Sequence, residues 1–69
     1  MIMGLDQLGK RIKKARLKAG LTQAEAAEKA EIHANYFARI ERGEVNPSYE
    51  ILEGIARALK IKLSEVVPS

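Results

Sequence analysis

Asn35 and Arg39 stand four residues apart, with Ala34 and Ala38 beside them. A side-chain amide that both donates and accepts, and a guanidinium with a planar fork of donors, can make paired hydrogen bonds to the edges of adenine and guanine. On a helix a spacing of four puts both on one face. The small side chains of Ala34 and Ala38 would allow that face a close approach and a contact with a thymine methyl. Taken alone, the pair is open to a second reading as ordinary polar surface. Arg42, Asn46 and the Tyr36 hydroxyl are candidates for phosphate oxygens, although the Tyr36 ring fits a purely structural role equally well. Such contacts would position the chain without reading a base.

Other chemistries find little here. The chain has no cysteine and one histidine, His33, so disulfides, thiolate sites and a protein-built zinc centre are not expected. His33 reads as an exposed residue at a helix start where Ser or Thr would cap better. No nucleophile–base pair, metal cluster or phosphate loop is present, and 69 residues leave no length for a catalytic cleft. The expectation is a protein that is not an enzyme, with no cofactor, no metal and no evident small-molecule pocket.

The net charge of +3 is unevenly spread. Residues 1–18 carry six basic side chains against Asp6, a balance of +5, and the remainder carries six against eight glutamates, a balance of −2. A basic segment ahead of a nearly neutral body suits a polyanion such as nucleic acid. A solvated helix face, or a cationic helix on a membrane surface, are the competing readings of the same charges. No stretch is apolar enough to span a bilayer, and the first residues have no signal-peptide pattern. With the absence of cysteine, this gives an expected cytoplasmic location.

Apolar residues recur at helical spacing along the whole chain, which predicts an all-α domain. The first helix should run from about Leu5 to Lys18, with Leu8, Ile12 and Ala15 inward and Gly20 as a left-handed stop. Thr22-Gln23-Ala24-Glu25 is a capping box that opens a second helix, which extends through Ala30. A third starts near His33 or Ala34 and ends at Arg42-Gly43. Ser48 should cap a fourth, from Tyr49 to about Leu59, with Leu52, Ile55, Ala56 and Leu59 inward. A fifth is expected from Leu63 to Val67, closed by Pro68. Only about three residues, Glu31 to His33, separate the second and third helices, a helix-turn-helix spacing. At about 100° per residue, Phe37 and Ile40 point inward, so Asn35, Arg39 and Arg42 point outward.

Leu21-Thr22-Gln23, Ala27 to Ala30, Tyr36 to Gly43 and Asn46-Pro47-Ser48, in this order and at these spacings, resemble the Cro and phage-repressor (XRE-type) helix-turn-helix family over roughly residues 8 to 67. The resemblance implies a compact five-helix, lambda-repressor-like domain, with the helix-turn-helix at about residues 22–42. It implies a partly buried Arg16–Glu41 salt bridge. It also implies that Gln23 contacts phosphate and braces the recognition helix, a role that the start of a helix suits in any case. The chain departs from the family pattern at Glu31, where Gly is usual and a side chain in the left-handed region costs about 1 kcal/mol. Ala26 stands where Leu is usual and Phe37 where Leu or Ile is usual, and Phe37 is expected to fill the space left at Ala26.

A lone recognition helix reads few base pairs, so a two-fold operator read by a homodimer is expected. Tyr49, Ile51, Ile61, Leu63, Val66 and Val67 exceed what one small core needs, and they are the expected dimer surface, within about residues 49–67. Glu28 is a candidate contact for RNA polymerase, or simply part of a solvated acidic face. The function expected is a DNA-binding transcriptional regulator, either a repressor or a controller-type activator of a restriction-modification system. The alternative is an antitoxin-type module that holds a toxin and binds DNA secondarily. Only Pro68 and Ser69 follow the last predicted helix, which favours the first reading.

Overall fold

The structure, a computed structural model, describes residues 4–67. Four α-helices follow in order: α1 (Leu5–Lys18), α2 (Gln23–Ala30), α3 (Ala34–Glu41) and α4 (Tyr49–Ala58), then a 3-10 turn at Leu63–Glu65. No strand occurs among the described residues. α1 packs on α3, α2 packs on α3 and α4, and the 3-10 turn packs on α4. Leu8, Ile12, Ala26, Ala27, Phe37, Ile40, Leu52, Ile55, Leu59 and Val66 form one core. Ala26 and Phe37 are both without solvent exposure in that cluster, the arrangement that a small-for-large exchange requires.

The helix starts follow from local chemistry. At α2 the Thr22 hydroxyl accepts from the Glu25 N–H at 3.0 Å, and the Glu25 carboxylate accepts from the Thr22 N–H at 2.9 Å. Chiefly that backbone hydrogen bond holds the Glu25 carboxyl below its ordinary value. Ser48 caps α4 through its hydroxyl and the Ile51 N–H at 3.2 Å. His33 is the N-cap of α3: its Nδ1 accepts from the Asn35 N–H at 3.0 Å, which requires the lone pair on that nitrogen. The exposed histidine thus supplies the cap itself, at a helix start where Ser or Thr is expected to cap better.

All four helices end in the same closure. A residue with positive φ follows the last turn, at Gly20 (75°), Glu31 (61°), Gly43 (76°) and Lys60 (57°). The next N–H returns to the carbonyl five residues back: Leu21 to Arg16, Ile32 to Ala27, Glu44 to Arg39 and Ile61 to Ala56, at 2.9 to 3.2 Å. This is the Schellman pattern, which satisfies carbonyls that a helix end leaves unpaired. Two of the four left-handed positions carry a side chain. Glu31→Gly is therefore expected to raise stability by about 1 kcal/mol in a denaturant melt, less the entropy that Gly adds to the unfolded chain. A variant less stable than the parent would show that Glu31 makes a compensating interaction.

The expected fifth helix is only the 3-10 turn. The Glu65 and Val66 N–H groups bond three residues back, to Lys62 and Leu63, at 2.9 and 3.0 Å. One turn cannot offset the entropy of helix nucleation. Val67 also precedes a proline, which disfavours the α conformation. Pro68, expected to close this helix, lies outside the described residues.

Candidate nucleic-acid interface

α3 has two unlike faces. Phe37, Ile40 and Glu41 are buried against the body. Asn35, Arg39 and Arg42 are exposed, and Ala34 and Ala38 are half-buried between the two faces. Helical periodicity alone anticipates this split. Eight residues span about 12 Å, close to the roughly 12 Å width of a B-DNA major groove.

Glu41, the last residue of α3, holds that helix in place. Its carboxylate accepts from Arg16 Nε at 2.7 Å, from Arg16 Nη2 at 3.2 Å and from Gln23 Nε2 at 2.8 Å. Arg16 Nη1 also donates to the Leu21 carbonyl at 2.8 Å. Arg16 and Glu41 are 7% and 8% exposed, so the pair is buried, and the bidentate geometry with a third donor satisfies the carboxylate. One cluster therefore joins α1, the loop before α2, the first residue of α2 and the end of α3. Gln23 thus reaches the end of the third helix through its side-chain amide.

The phosphate candidates take different positions. Asn46 is exposed, and Tyr36 is half-buried with its ring packed against the core. Arg42 is exposed but already engaged: its Nε donates to Glu44 Oε2 at 2.6 Å and its Nη2 to Oε1 at 3.3 Å. Arg39 Nε also lies 3.7 Å from Glu44 Oε1. The hydrogen bond from Arg42 holds the Glu44 carboxyl below its ordinary value, and the same bond raises the Arg42 guanidinium. Glu44 is absent from the sequence-based candidates, and its place two residues after Arg42, across the glycine stop, is the signal that points to it.

Of the residues expected at a dimer surface, Tyr49 is 65% exposed, while Ile51, Ile61, Leu63 and Val67 are half-buried. Val66 does not belong with them, because at 1% exposure it completes the core of the single chain. An open groove of about 530 Å³ between α1 and the C-terminal segment is lined by Arg11, Lys14, Lys18, Leu59, Ile61 and Glu65 among others, a concavity that the sequence did not reveal. No described helix is long and apolar enough to cross a membrane. Among the described residues no cluster of His, Cys, Asp or Glu could hold a metal.

Two helices joined by three residues, the second carried on the first and open on its outer face, define a helix-turn-helix domain. A family model described as helix-turn-helix matches residues 12–66, and the chain belongs to that family. It is 47% identical over 60 residues to an immunity repressor protein of Bacillus phage phi105, covering 87% of this chain and 42% of that protein. It is 37% identical over 62 residues to the transcriptional regulator ClgR of Mycobacterium tuberculosis, covering 90% and 55%. The chain thus spans about half the length of these curated relatives. The crystal structure of the restriction-modification controller protein C.AhdI from Aeromonas hydrophila superimposes with a TM-score of 0.88 at 31% identity, covering 90% of this chain and 94% of that one.

Proposed function

We propose that this chain is a sequence-specific, double-stranded-DNA-binding transcriptional regulator that acts as a homodimer on a two-fold operator. The observation that carries the reading is the exposed Asn35–Arg39 face of α3, on a helix whose opposite face is locked to the body through Phe37, Ile40 and Glu41. Such a helix can enter the major groove without reorganising, and rigidity of the reading element favours discrimination. Asn35 then contacts adenine, Arg39 contacts guanine, and Ala34 and Ala38 allow the approach. Gln23, Tyr36 and Asn46 take phosphates on either side, while Arg42, a phosphate candidate by sequence, stays on its Glu44 partner in the operator complex. Relatives named as an immunity repressor and a controller protein support the regulatory role.

Dimension argues for two copies. The longest extent of the domain is 31 Å, short of the roughly 34–36 Å between successive half-sites on one side of DNA. One copy covers one half-site. The proposed dimer surface within residues 49–67 comprises Tyr49, Ile51, Ile61, Leu63 and Val67, and the helix-turn-helix occupies about residues 22–42. A mass in solution that stays monomeric at every concentration would remove the dimer from this proposal. Glu28, exposed on α2, is the residue to which a polymerase contact is assigned.

The test is selection of bound sequences from a random DNA library at near-physiological salt, with wild type and Arg39→Ala in parallel. The expected outcome is a two-fold enriched site in which the variant loses one guanine per half-site, a loss of about 1–3 kcal/mol of discrimination each. Recovery of no motif, with binding that only falls steeply with salt, would overturn operator reading.

A further inference from the structure

The chain contains its own control for the role of Glu44. In three of the four helix closures the residue after the left-handed position is aliphatic and half-buried: Leu21, Ile32 and Ile61. That is the usual arrangement, because the residue lies over the last turn and makes an apolar contact there. In the closure of α3 the same position is an exposed glutamate. The Glu44 N–H is tied to the Arg39 carbonyl at 2.9 Å, so the backbone delivers this carboxylate to the end of the proposed reading helix. Both nearby arginines reach it, Arg42 by two hydrogen bonds and Arg39 by a looser ion pair at 3.7 Å.

We propose that Glu44 is a built-in counter-charge that competes with DNA phosphates for Arg39 and Arg42, and so penalises sequence-indifferent binding more than operator binding. This rests on the DNA-binding reading above. On a random duplex the only strong partners for two guanidiniums are phosphates, and engaging both strands Glu44 unpaired beside a polyanion. On an operator the loosely held Arg39 turns to an uncharged guanine edge, while Arg42 stays paired with Glu44. The carboxylate then keeps a partner in the specific complex and loses it in the nonspecific one. Specificity is a difference of affinities, and a repulsive element set against the wrong partner is one way to widen it.

The test measures binding of wild type, Glu44→Gln and Glu53→Gln to a wild-type-selected operator and to a scrambled duplex, over a range of salt. Glu53, exposed on α4, gives the same change in net charge away from the two arginines. For Glu44→Gln the expected result is binding to the scrambled duplex that tightens about fivefold or more, with the slope of log K against log salt steeper by about one. Binding to the operator should tighten much less, so the ratio falls, and Glu53→Gln should leave the ratio unchanged. Equal tightening on both duplexes, or the same ratio change with Glu53→Gln, would reduce Glu44 to bulk charge and overturn the proposal. Weaker binding to both would overturn it too, since Glu44 would then be aligning the arginines for DNA. Should wild type fail to discriminate between the duplexes, operator reading falls on its own account, and the scrambled arm still decides whether the carboxylate competes with phosphate. A carboxyl NMR titration reads the pairing without DNA: in Arg42→Gln the Glu44 midpoint should rise, and an unmoved midpoint would also overturn the proposal.

Discussion

Gly9→Ala is expected to destabilise the domain by about 3 kcal/mol or more, a fall in Tm of about 15 °C. Helix propensity alone predicts the opposite sign, because Ala is better than Gly in a helix interior by about 1 kcal/mol. The contact with α3 decides the matter. A Cβ built on Gly9 would stand 2.7 Å from both the Glu41 carbonyl carbon and the Ile40 carbonyl oxygen, and closer still to the Glu41 carbonyl oxygen. These are backbone atoms, which no rotamer change can move aside. To admit one methyl group, α1 and α3 must separate, and Ile12, Phe37 and Ile40 sit in the same core. Arg16 and Glu41 would be drawn apart by the same movement. A domain of this size has about 3–10 kcal/mol in total, so the variant is expected to be largely unfolded near physiological temperature. A thermal melt monitored by circular dichroism is sufficient, and a variant that melts at or above wild type would mean that the two helices do not meet at Gly9.

Gly9 also shows which parts of the molecule can be read from sequence. Features that depend on neighbours along the chain were legible: the Thr22–Glu25 capping box, Gly20 and Gly43 as stops, Ser48 as a cap, and the division of α3 into an inner face at Phe37 and Ile40 and an outer face at Asn35 and Arg39. Each is set within about four residues, the range over which helical geometry acts. The Arg16–Glu41 bridge, 25 residues apart, came through only by family resemblance, because nothing local couples those positions. Gly9 stayed hidden for the same reason: a glycine in a helix becomes a crossing point only when the crossing helix is known. The surplus of apolar residues in the C-terminal third points Val66 to a surface. A small domain has no such surplus to give up at a fully buried site, and Val66 closes the core. Glu44 lay between the two cases, since its position follows from the Gly43 stop once the full closure, and not the glycine alone, is considered.

Arg16→Met is expected to cost about 3–5 kcal/mol, and the double variant Arg16→Met/Glu41→Leu should recover most of that loss. With Arg16 gone, Glu41 is left buried with the Gln23 amide as its one remaining donor in the cluster, and the Leu21 carbonyl loses the donor at 2.8 Å. A buried carboxylate without a counter-charge is far more costly than the ion pair was favourable, so the single variant measures mainly that penalty. Replacing both partners with apolar side chains of similar size removes the penalty along with the pair. The double-mutant cycle should therefore show a coupling of about 3 kcal/mol or more, since it is the stability recovered plus the cost of Glu41→Leu alone, read from denaturant midpoints at unchanged m. The DNA readout should not follow the stability. In the double variant Gln23 has no Glu41 to hold it, so the start of α2 is no longer tied to the end of α3. Discrimination between operator and scrambled duplex is expected to stay low in a domain that is again well folded. If discrimination returns together with stability, the Arg16–Glu41–Gln23 cluster serves the fold alone, and the packing of Phe37 and Ile40 suffices to hold the reading helix in register.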